Sequence, residues 1–284
     1  MLIDEAIQAS DQIKGWLTQA EQSLLYDVAR RVPAGGVIVE LGSWMGRSTI
    51  MLGAGSLAGH RPRIYAVDLF ATGADDSNSQ YDSYINGQPQ DYLPVFEENV
   101  RRAGVDSVVE PIRGLTTESA RRWSGSQINF LFIDANHSYE AVQDDFFSWI
   151  RYCTPGSYCA FHDFSNHQEP GVHRFVDPLL ATRVLTEVRF ADSIVCGKLA
   201  ITDPDQIRRR LNSQALWQPF ESVRPMSYRS SKHTYCKNNG WVAFAANDRR
   251  SAIYEGIQCI TLKPWKIESW RLLACAILKT NRRS

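Results

Sequence analysis

Four short stretches carry the residues best suited to chemistry. Val39-Glu40-Leu41-Gly42-Ser43-Trp44-Met45-Gly46-Arg47-Ser48-Thr49 sets an acidic residue and two glycines between an apolar run and a helical pattern. Gly42 and Gly46 let the backbone approach a ligand closely, and the helix that follows presents unpaired N–H groups to it. A pyrophosphate loop of dinucleotide-binding type would read G-x-G-x-x-G; the residue two after Gly42 is Trp44, so that fingerprint is missing. Asp68 closes a second apolar run, where a doubly wound fold lets a carboxylate accept both hydroxyls of a ribose. A turn or cap role for Asp68 stands beside that reading. Asp134-Ala135-Asn136-His137 and His162-Asp163 follow two further apolar runs, and an imidazole of pKa near 6.5 suits proton abstraction at neutral pH.

The elements that must position these groups alternate. Val37-Ile38-Val39, Ile64-Tyr65-Ala66-Val67, Val108 to Ile112, Phe130 to Ile133 and Tyr158 to Phe161 are short, continuously apolar runs. Helical patterns begin at Ser48 and cover Val95 to Ala103 and Tyr139 to Cys153. Such interleaving predicts a doubly wound, mostly parallel α/β sheet buried on both faces. Val184 to Val188 and Ser193 to Leu199 add two closing strands, for seven in all. Residues 1–31 form a helical lead-in, in which Ile3, Ile7, Leu17, Leu24, Leu25 and Val28 recur at helical spacing and Thr18 and Glu21 make a capping box. Residues 32–204 are the sheet domain, and 205–284 a basic, mainly helical appendage with helices over Arg250 to Ile260 and Ile267 to Leu278, broken at Pro264. A polar loop from Ala71 to Asp91, carrying Asp75, Asp76, Asn78, Tyr81, Asp82 and Tyr84, is long enough to imply a functional role.

Bulk composition narrows the class. With 284 residues, 44% hydrophobic and 22% charged, the chain is an ordinary globular protein, neither disordered nor fibrous. The N-terminus carries Asp4, Glu5, Asp11 and Lys14 and has no signal-peptide layout, and no stretch reaches a membrane span. Six cysteines show no paired CxxC spacing; Cys153, Cys159, Cys196, Cys259 and Cys275 lie among apolar residues and are read as reduced core thiols, which implies a cytoplasmic location. The net charge of zero hides an asymmetry: 15 Lys/Arg against 5 Asp/Glu after Pro204, and 16 against 26 before it. The basic tail docks on the acidic body, meets an anionic partner or dimerises the chain, or it is simply a solvated surface; the sequence leaves these open.

Taken together, GWLTQAEQSLLYDVARRV, IVELGSWMGRST, YAVDLF, FLFIDANHSYEAVQDDF and PGSYCAFHDF resemble the class I S-adenosylmethionine-dependent methyltransferases, and among them a bacterial branch that includes macrocin-type sugar O-methyltransferases. The resemblance covers about residues 14–200, with the motifs in the family's order. It implies a Rossmann-like methyltransferase fold in which Glu40, Gly42, Ser43 and Gly46 line the methionine part of S-adenosylmethionine, with Ser48 and Thr49 opening the next helix. Asp68 would hold the ribose and Leu69 the adenine. Gly114, Leu115 and Thr116 would contact the adenine after the third strand, although Leu115 departs from the acidic residue common there.

The implied reaction is in-line attack of a hydroxyl oxygen on the sulfonium methyl, for which the protein supplies positioning and removal of the hydroxyl proton. Catechol-type O-methyltransferases share the layout and bind a divalent cation at the positions of Asp134, His162 and Asp163, with their base at the position of His137. His137 is therefore the expected base, with His162 and Asp163 as the alternative, and Asp134, His162 and Asp163 the expected ligands of Mg²⁺ or another divalent cation. Imidazole in that set departs from the oxygen donors Mg²⁺ prefers. Asp145 matches an acidic position of the family and could orient a catalytic histidine, while Glu140 is read as a solvated helix residue. The resemblance implies a small-molecule acceptor bearing a hydroxyl, such as a sugar or glycoside. An RNA methyltransferase using the basic tail is opposed by the acidic body and by the absence of an NPPY-like motif. A scaffold retaining only a cofactor pocket is the non-catalytic alternative, and the missing G-x-G-x-x-G argues against a nicotinamide oxidoreductase.

Overall fold

A run such as Val37–Leu41, buried at every position, has no solvent side and must lie between two covering layers. A computed structural model describes residues 1–71, 91–166 and 171–213, with isolated helical positions at Ile253, Ile257, Ile260, Trp270, Leu273 and Ala274. The elements in chain order are α1 (Ile3–Asp11), α2 (Gln19–Arg31), β1 (Val37–Leu41), α3 (Arg47–Ala58), β2 (Arg63–Asp68), α4 (Leu93–Arg102), β3 (Val109–Arg113) and α5 (Thr116–Arg122). They continue with β4 (Ile128–Ile133), α6 (Tyr139–Trp149), β5 (Cys153–Phe161), α7 (Gly171–Ala181), β6 (Leu185–Ala191), β7 (Ile194–Leu199) and α8 (Pro204–Asn212). Most of the polar loop, with Tyr81 and Tyr84, and most of the tail with its two expected helices lie outside the described residues.

The seven strands form one sheet in the order β3-β2-β1-β4-β5-β7-β6. β1 to β5 pair in parallel, and β7 runs antiparallel between β5 and β6. The strand order reverses between β1 and β4, which opens a crevice at their carboxyl ends. Alternate side chains feed two cores. Val37, Val39, Leu41, Leu131 and Ile133 pack with Phe146, Phe161 and Phe175 on one face, while Ile38, Phe130 and Phe132 pack with Leu25, Ile50, Met51 and Phe96 on the other. The register then aligns the strand ends: Leu41 pairs with Val67 and with Ile133, and Ile133 with Phe161. Gly42, Asp68, Asp134 and His162 each come one residue later, so the chemistry-bearing residues emerge side by side.

Several boundaries differ from the sequence pattern for identifiable reasons. The helix expected to reach Cys153 stops at Trp149 and ends in a 3₁₀ turn over Ile150–Tyr152, because Cys153 already pairs with Ile128 and β5 begins there. The lead-in helices are part of the body: Ala6, Leu25, Val28 and Ala29 are fully buried in the second core. So is the first basic helix, since Ile207 of α8 enters the first core and the Arg208 guanidinium sits 4.3 Å above the Phe147 ring. Cys153, Cys159 and Cys196 are buried and free, and burial pushes the Cys153 and Cys196 thiols up to about 12, which keeps them unreactive. No helix among the described residues is long and apolar enough to cross a membrane.

Phe146 lies within 5.3–5.9 Å of the ring centroids of Phe147, Phe161 and Phe175 and is fully buried. Phe146→Ala removes the hub of this cluster and is expected to lower unfolding free energy by about 3–5 kcal/mol. Urea denaturation of both proteins measures it.

Candidate active site

The last rung of the parallel ladder places the site. The N–H groups of Gly42, Asp134 and His162 donate to the carbonyls of Val67, Leu41 and Ile133 at 2.9, 2.8 and 3.1 Å. Gly114 N–H likewise donates to the Asp68 carbonyl at 2.9 Å. Gly42 has φ +84°, and a Cβ there would stand 2.2 Å from the Asp134 carbonyl oxygen. The loop after β1 therefore touches the loop after β4 backbone to backbone, which only glycine permits. Trp44, Phe70 and Asp163, with φ of +43°, +50° and +55°, share this edge. Left-handed backbone costs such residues about 1–3 kcal/mol each and persists where surrounding contacts hold it.

Asp68 braces the loop. Its Oδ2 accepts from the N–H groups of Ser43 and Trp44, both at 2.8 Å, and its Oδ1 from Phe70 N–H at 2.7 Å. A carboxylate offers about four acceptor positions, so three are taken by backbone and one remains for a ligand hydroxyl. Glu40 is fully buried on the α2/α3 side of β1; its Oε2 accepts from Ser43 Oγ at 2.8 Å and Thr49 Oγ1 at 2.5 Å. Its Oε1 is buried without a hydrogen-bond partner among the described residues. Burial pushes the Glu40 carboxyl up to about 7, against the opposing pull of the Ser48, Thr49 and Ser43 hydroxyls.

Leu69 and Leu115 stand 48% and 49% exposed at the ends of β2 and β3, an apolar pair left open at the sheet edge. Thr116 follows, and its hydroxyl donates to Asp145, while Trp149 Nε1 donates to the Thr116 carbonyl at 3.0 Å. Asp145, almost wholly buried and raised by that burial to about 6, therefore fixes the loop after β3 and does not orient a histidine as the sequence suggested. Glu140 is exposed on α6, as expected.

The second half of the site is a cluster of charges. His162 Nδ1 lies 2.9 Å from Asp134 Oδ1 and 3.1 Å from Asp163 Oδ2. His137 Nε2 lies 3.3 Å from Asp163 Oδ2 and 3.7 Å from Asp134 Oδ1. The His137 side chain is 17% exposed and that of His162 only 6%, so His137 is the ring an incoming substrate can reach. Local bonds shape this turn: Asn136 Oδ1 accepts from Ser138 N–H at 2.9 Å, and Ser138 Oγ caps α6. From behind, a Cβ at Gly171 would lie 2.2 Å from the His137 carbonyl oxygen, so α7 starts directly against the segment. One ligand atom each from Asp134, His162 and Asp163 fall within 4.8 Å of one another.

Burial works against a protonated His162, yet Asp134, Asp163 and Glu21 outweigh it and hold its pKa well above the ordinary histidine value. Glu21 is a residue that sequence reasoning saw only as a helix cap. Its Oε2 does accept from Thr18 N–H at 2.8 Å, but its Oε1 accepts from Ser193 N–H and Oγ at 2.8 and 2.6 Å and lies 3.6 Å from His162 Nε2. Trp44 stacks on Trp16 at 5.6 Å with the rings 9° apart. Arg47 secures that segment by donating to the carbonyls of Ile13 and Leu17 at 2.8 and 3.2 Å and pairing with Asp11 at 2.7 Å. His173 is buried and stacked on Phe164, His60 is exposed, and His167 and His233 lie outside the described residues.

Because burial raises Glu40 from 4.5 to about 7, its contribution to stability is complete below pH 4.5 and is lost as pH rises through 7. Without ligand, this is expected to cost roughly 3 kcal/mol between those limits. Glu40→Gln keeps the hydroxyl contacts and removes the titration, so the wild-type minus variant difference in unfolding free energy should fall from pH 4.5 to pH 8. A flat difference would refute the assignment.

Residues 39–164 match the family model described as a methyltransferase domain. Among solved structures, the O-methyltransferase NovP superposes with a TM-score of 0.53 at 17% identity, over 64% of this chain and 81% of its own. The cofactor-bound protein Rv0187 from MTB gives 0.50 at 19% identity, over 70% of this chain and 88% of its own. At these identities the likeness is one of fold, and that fold has the seven-stranded order described above. The matched segment holds the glycine loop, Asp68 and the Asp134–His162–Asp163 cluster, and the chain has the Rossmann-like methyltransferase fold.

Proposed function

We propose that the protein is an O-methyltransferase that carries a methyl group from S-adenosylmethionine to a hydroxyl of a sugar, glycoside or related polar natural product. The observation that supports this most is the convergence of two half-sites on one sheet edge: the Glu40–Asp68 loop on β1 and β2, and the Asp134, His137, His162 and Asp163 cluster on β4 and β5. The fold shared with NovP supports the O-directed reading, and the resemblance to macrocin-type enzymes supports the sugar.

The residues present suit the cofactor. Glu40 Oε1 is a buried acceptor without a partner among the described residues, beside the loop assigned to the methionine part. Asp68 keeps one acceptor position for a ribose hydroxyl, and Leu69 and Leu115 offer an open apolar pair for a flat ring. Gly42, Ser43 and Gly46 shape the loop, Ser48 and Thr49 open α3, and Gly114 and Thr116 complete the wall. S-adenosylmethionine, when bound, supplies an electrophilic methyl.

The chain's own part is deprotonation. His137 Nε2, at the accessible side of the cluster, takes the acceptor's hydroxyl proton, and the resulting imidazolium is stabilised by Asp163 and Asp134 at 3.3 and 3.7 Å. His162, buried and held between carboxylates, organises Asp134 and Asp163 without facing the acceptor. Asp134, His162 and Asp163 also suit a divalent cation, which would lower the hydroxyl's pKa.

Calorimetric titration with S-adenosylhomocysteine should show micromolar binding, weakened roughly 10–100-fold in Asp68→Ala, as expected for loss of hydrogen bonds to a charged group. His137→Ala should keep that binding and lower turnover of hydroxyl acceptors roughly 10²–10⁴-fold. Absence of binding in the wild-type protein would overturn the proposal, and full turnover in His137→Ala would remove the base.

A further inference from the structure

The two ring nitrogens of His162 sit in different surroundings. Nδ1 faces Asp134 and Asp163, whereas Nε2 is fully buried with no hydrogen-bond partner among the described residues. The group aimed at Nε2 is Glu21 Oε1 at 3.6 Å, in ion-pair range and slightly beyond a hydrogen bond. Glu21 is itself 2% exposed and is held by Thr18 and by Ser193 at the β6–β7 turn. A helix cap alone needs neither burial nor a contact with the β6–β7 turn.

The tautomer links these facts. If Nδ1 gives its lone pair to a cation shared with Asp134 and Asp163, the ring proton must reside on Nε2. A buried N–H requires an acceptor, and Glu21 stands where one is needed. Metal-bound histidines nearly always hand their other N–H to a carboxylate or carbonyl, which fixes the ring and makes the bound nitrogen more basic. An imidazole donor of this kind suits transition-metal dications and is a poor ligand for Mg²⁺.

We propose that Glu21 is the positioning residue that presents His162 Nδ1 to a metal, and that the Glu21–His162 pair commits the Asp134–His162–Asp163 corner to a transition-metal dication over Mg²⁺. The inference rests on the reading of that corner as a cation site, made above. Glu21 lies outside the matched segment 39–164, so the pairing belongs to this chain's own N-terminal helix.

The test is calorimetric titration of the full chain with Co²⁺ and, separately, Mg²⁺, followed in the visible for Co²⁺, with S-adenosylhomocysteine binding and thermal unfolding as controls. Wild type should bind Co²⁺ far more tightly than Mg²⁺. Glu21→Gln loses the charge and keeps one acceptor oxygen, enough for Ser193 but not for Thr18 as well; it should weaken Co²⁺ roughly 10–100-fold while S-adenosylhomocysteine binding is kept, with thermal unfolding reading the lost cap separately. His162→Asp should erase the Co²⁺ preference and make metal affinity indifferent to a second Glu21→Gln change, which reads the pairing even if Glu21→Gln alone is unstable. Equal affinity for the two ions in wild type, or unchanged Co²⁺ affinity in Glu21→Gln, would overturn the proposal. Absence of metal binding in a protein that still binds S-adenosylhomocysteine would overturn it too and leave the methyltransferase reading standing, whereas loss of cofactor binding in wild type would strike that reading alone.

Discussion

The contact between Gly42 and the Asp134 carbonyl oxygen is the constraint on which the site depends. With a Cβ excluded at 2.2 Å, the loop after β1 and the loop after β4 meet through backbone alone. Both loops then leave the sheet at the same height, because Gly42 and Asp134 each continue the hydrogen-bond ladder by one rung. The residues of the β1 loop and the charged cluster are thereby brought to the same crevice without any side chain reaching far.

Four buried carboxylates serve this edge in different ways. Asp163 and Glu21 have their pKa values held down, against burial, by His162 and by further hydrogen bonds. Glu40 and Asp145 are pushed up by burial to about 7 and about 6; hydroxyls are their hydrogen-bond donors, and the charges of Asp134 and Asp144 add to the upward push. The first pair faces the His162 ring and stays charged. The second pair sits close to neutral pH, where small changes in surroundings decide the charge. The two kinds still sense each other, since the Asp134 charge adds to the upward push on Glu40.

Sheet and site residues that announce themselves by type and place were legible in the sequence. Asp68, Asp134 and His162 each follow an apolar run, and linear order suffices to put them at strand ends. Roles fixed by folding were not legible. The bond from Asp145 to Thr116 joins α6 to the start of α5, and nothing local marks it. The Asp68 carboxylate reaches back to the N–H groups of Ser43 and Trp44, which depends on how far the β1 loop bends. Glu21 carried a correct local signal, its capping box with Thr18, and that signal concealed a second partner at Ser193. Beside the stack of Trp16 on Trp44, Arg47 clips the lead-in through Asp11 and through the backbone carbonyls of Ile13 and Leu17, and the two carbonyls leave no trace in residue type.

The hold that Ser193 keeps on Glu21 bears on how the protein is made. Thr18 Oγ1 also donates to Asp192 Oδ2 at 2.6 Å, so the early helix α2 and the late β6–β7 turn are fastened together. A ribosome-bound chain that has emerged as far as Phe164 already has the whole matched segment, yet Glu21 is then held only by Thr18 and lacks Ser193 on the oxygen that faces His162. Contacts between residues so distant in the chain form late, since loop closure must precede them. Translation therefore leaves the Glu21 side of the charged corner without its second anchor until the β6–β7 hairpin has been released.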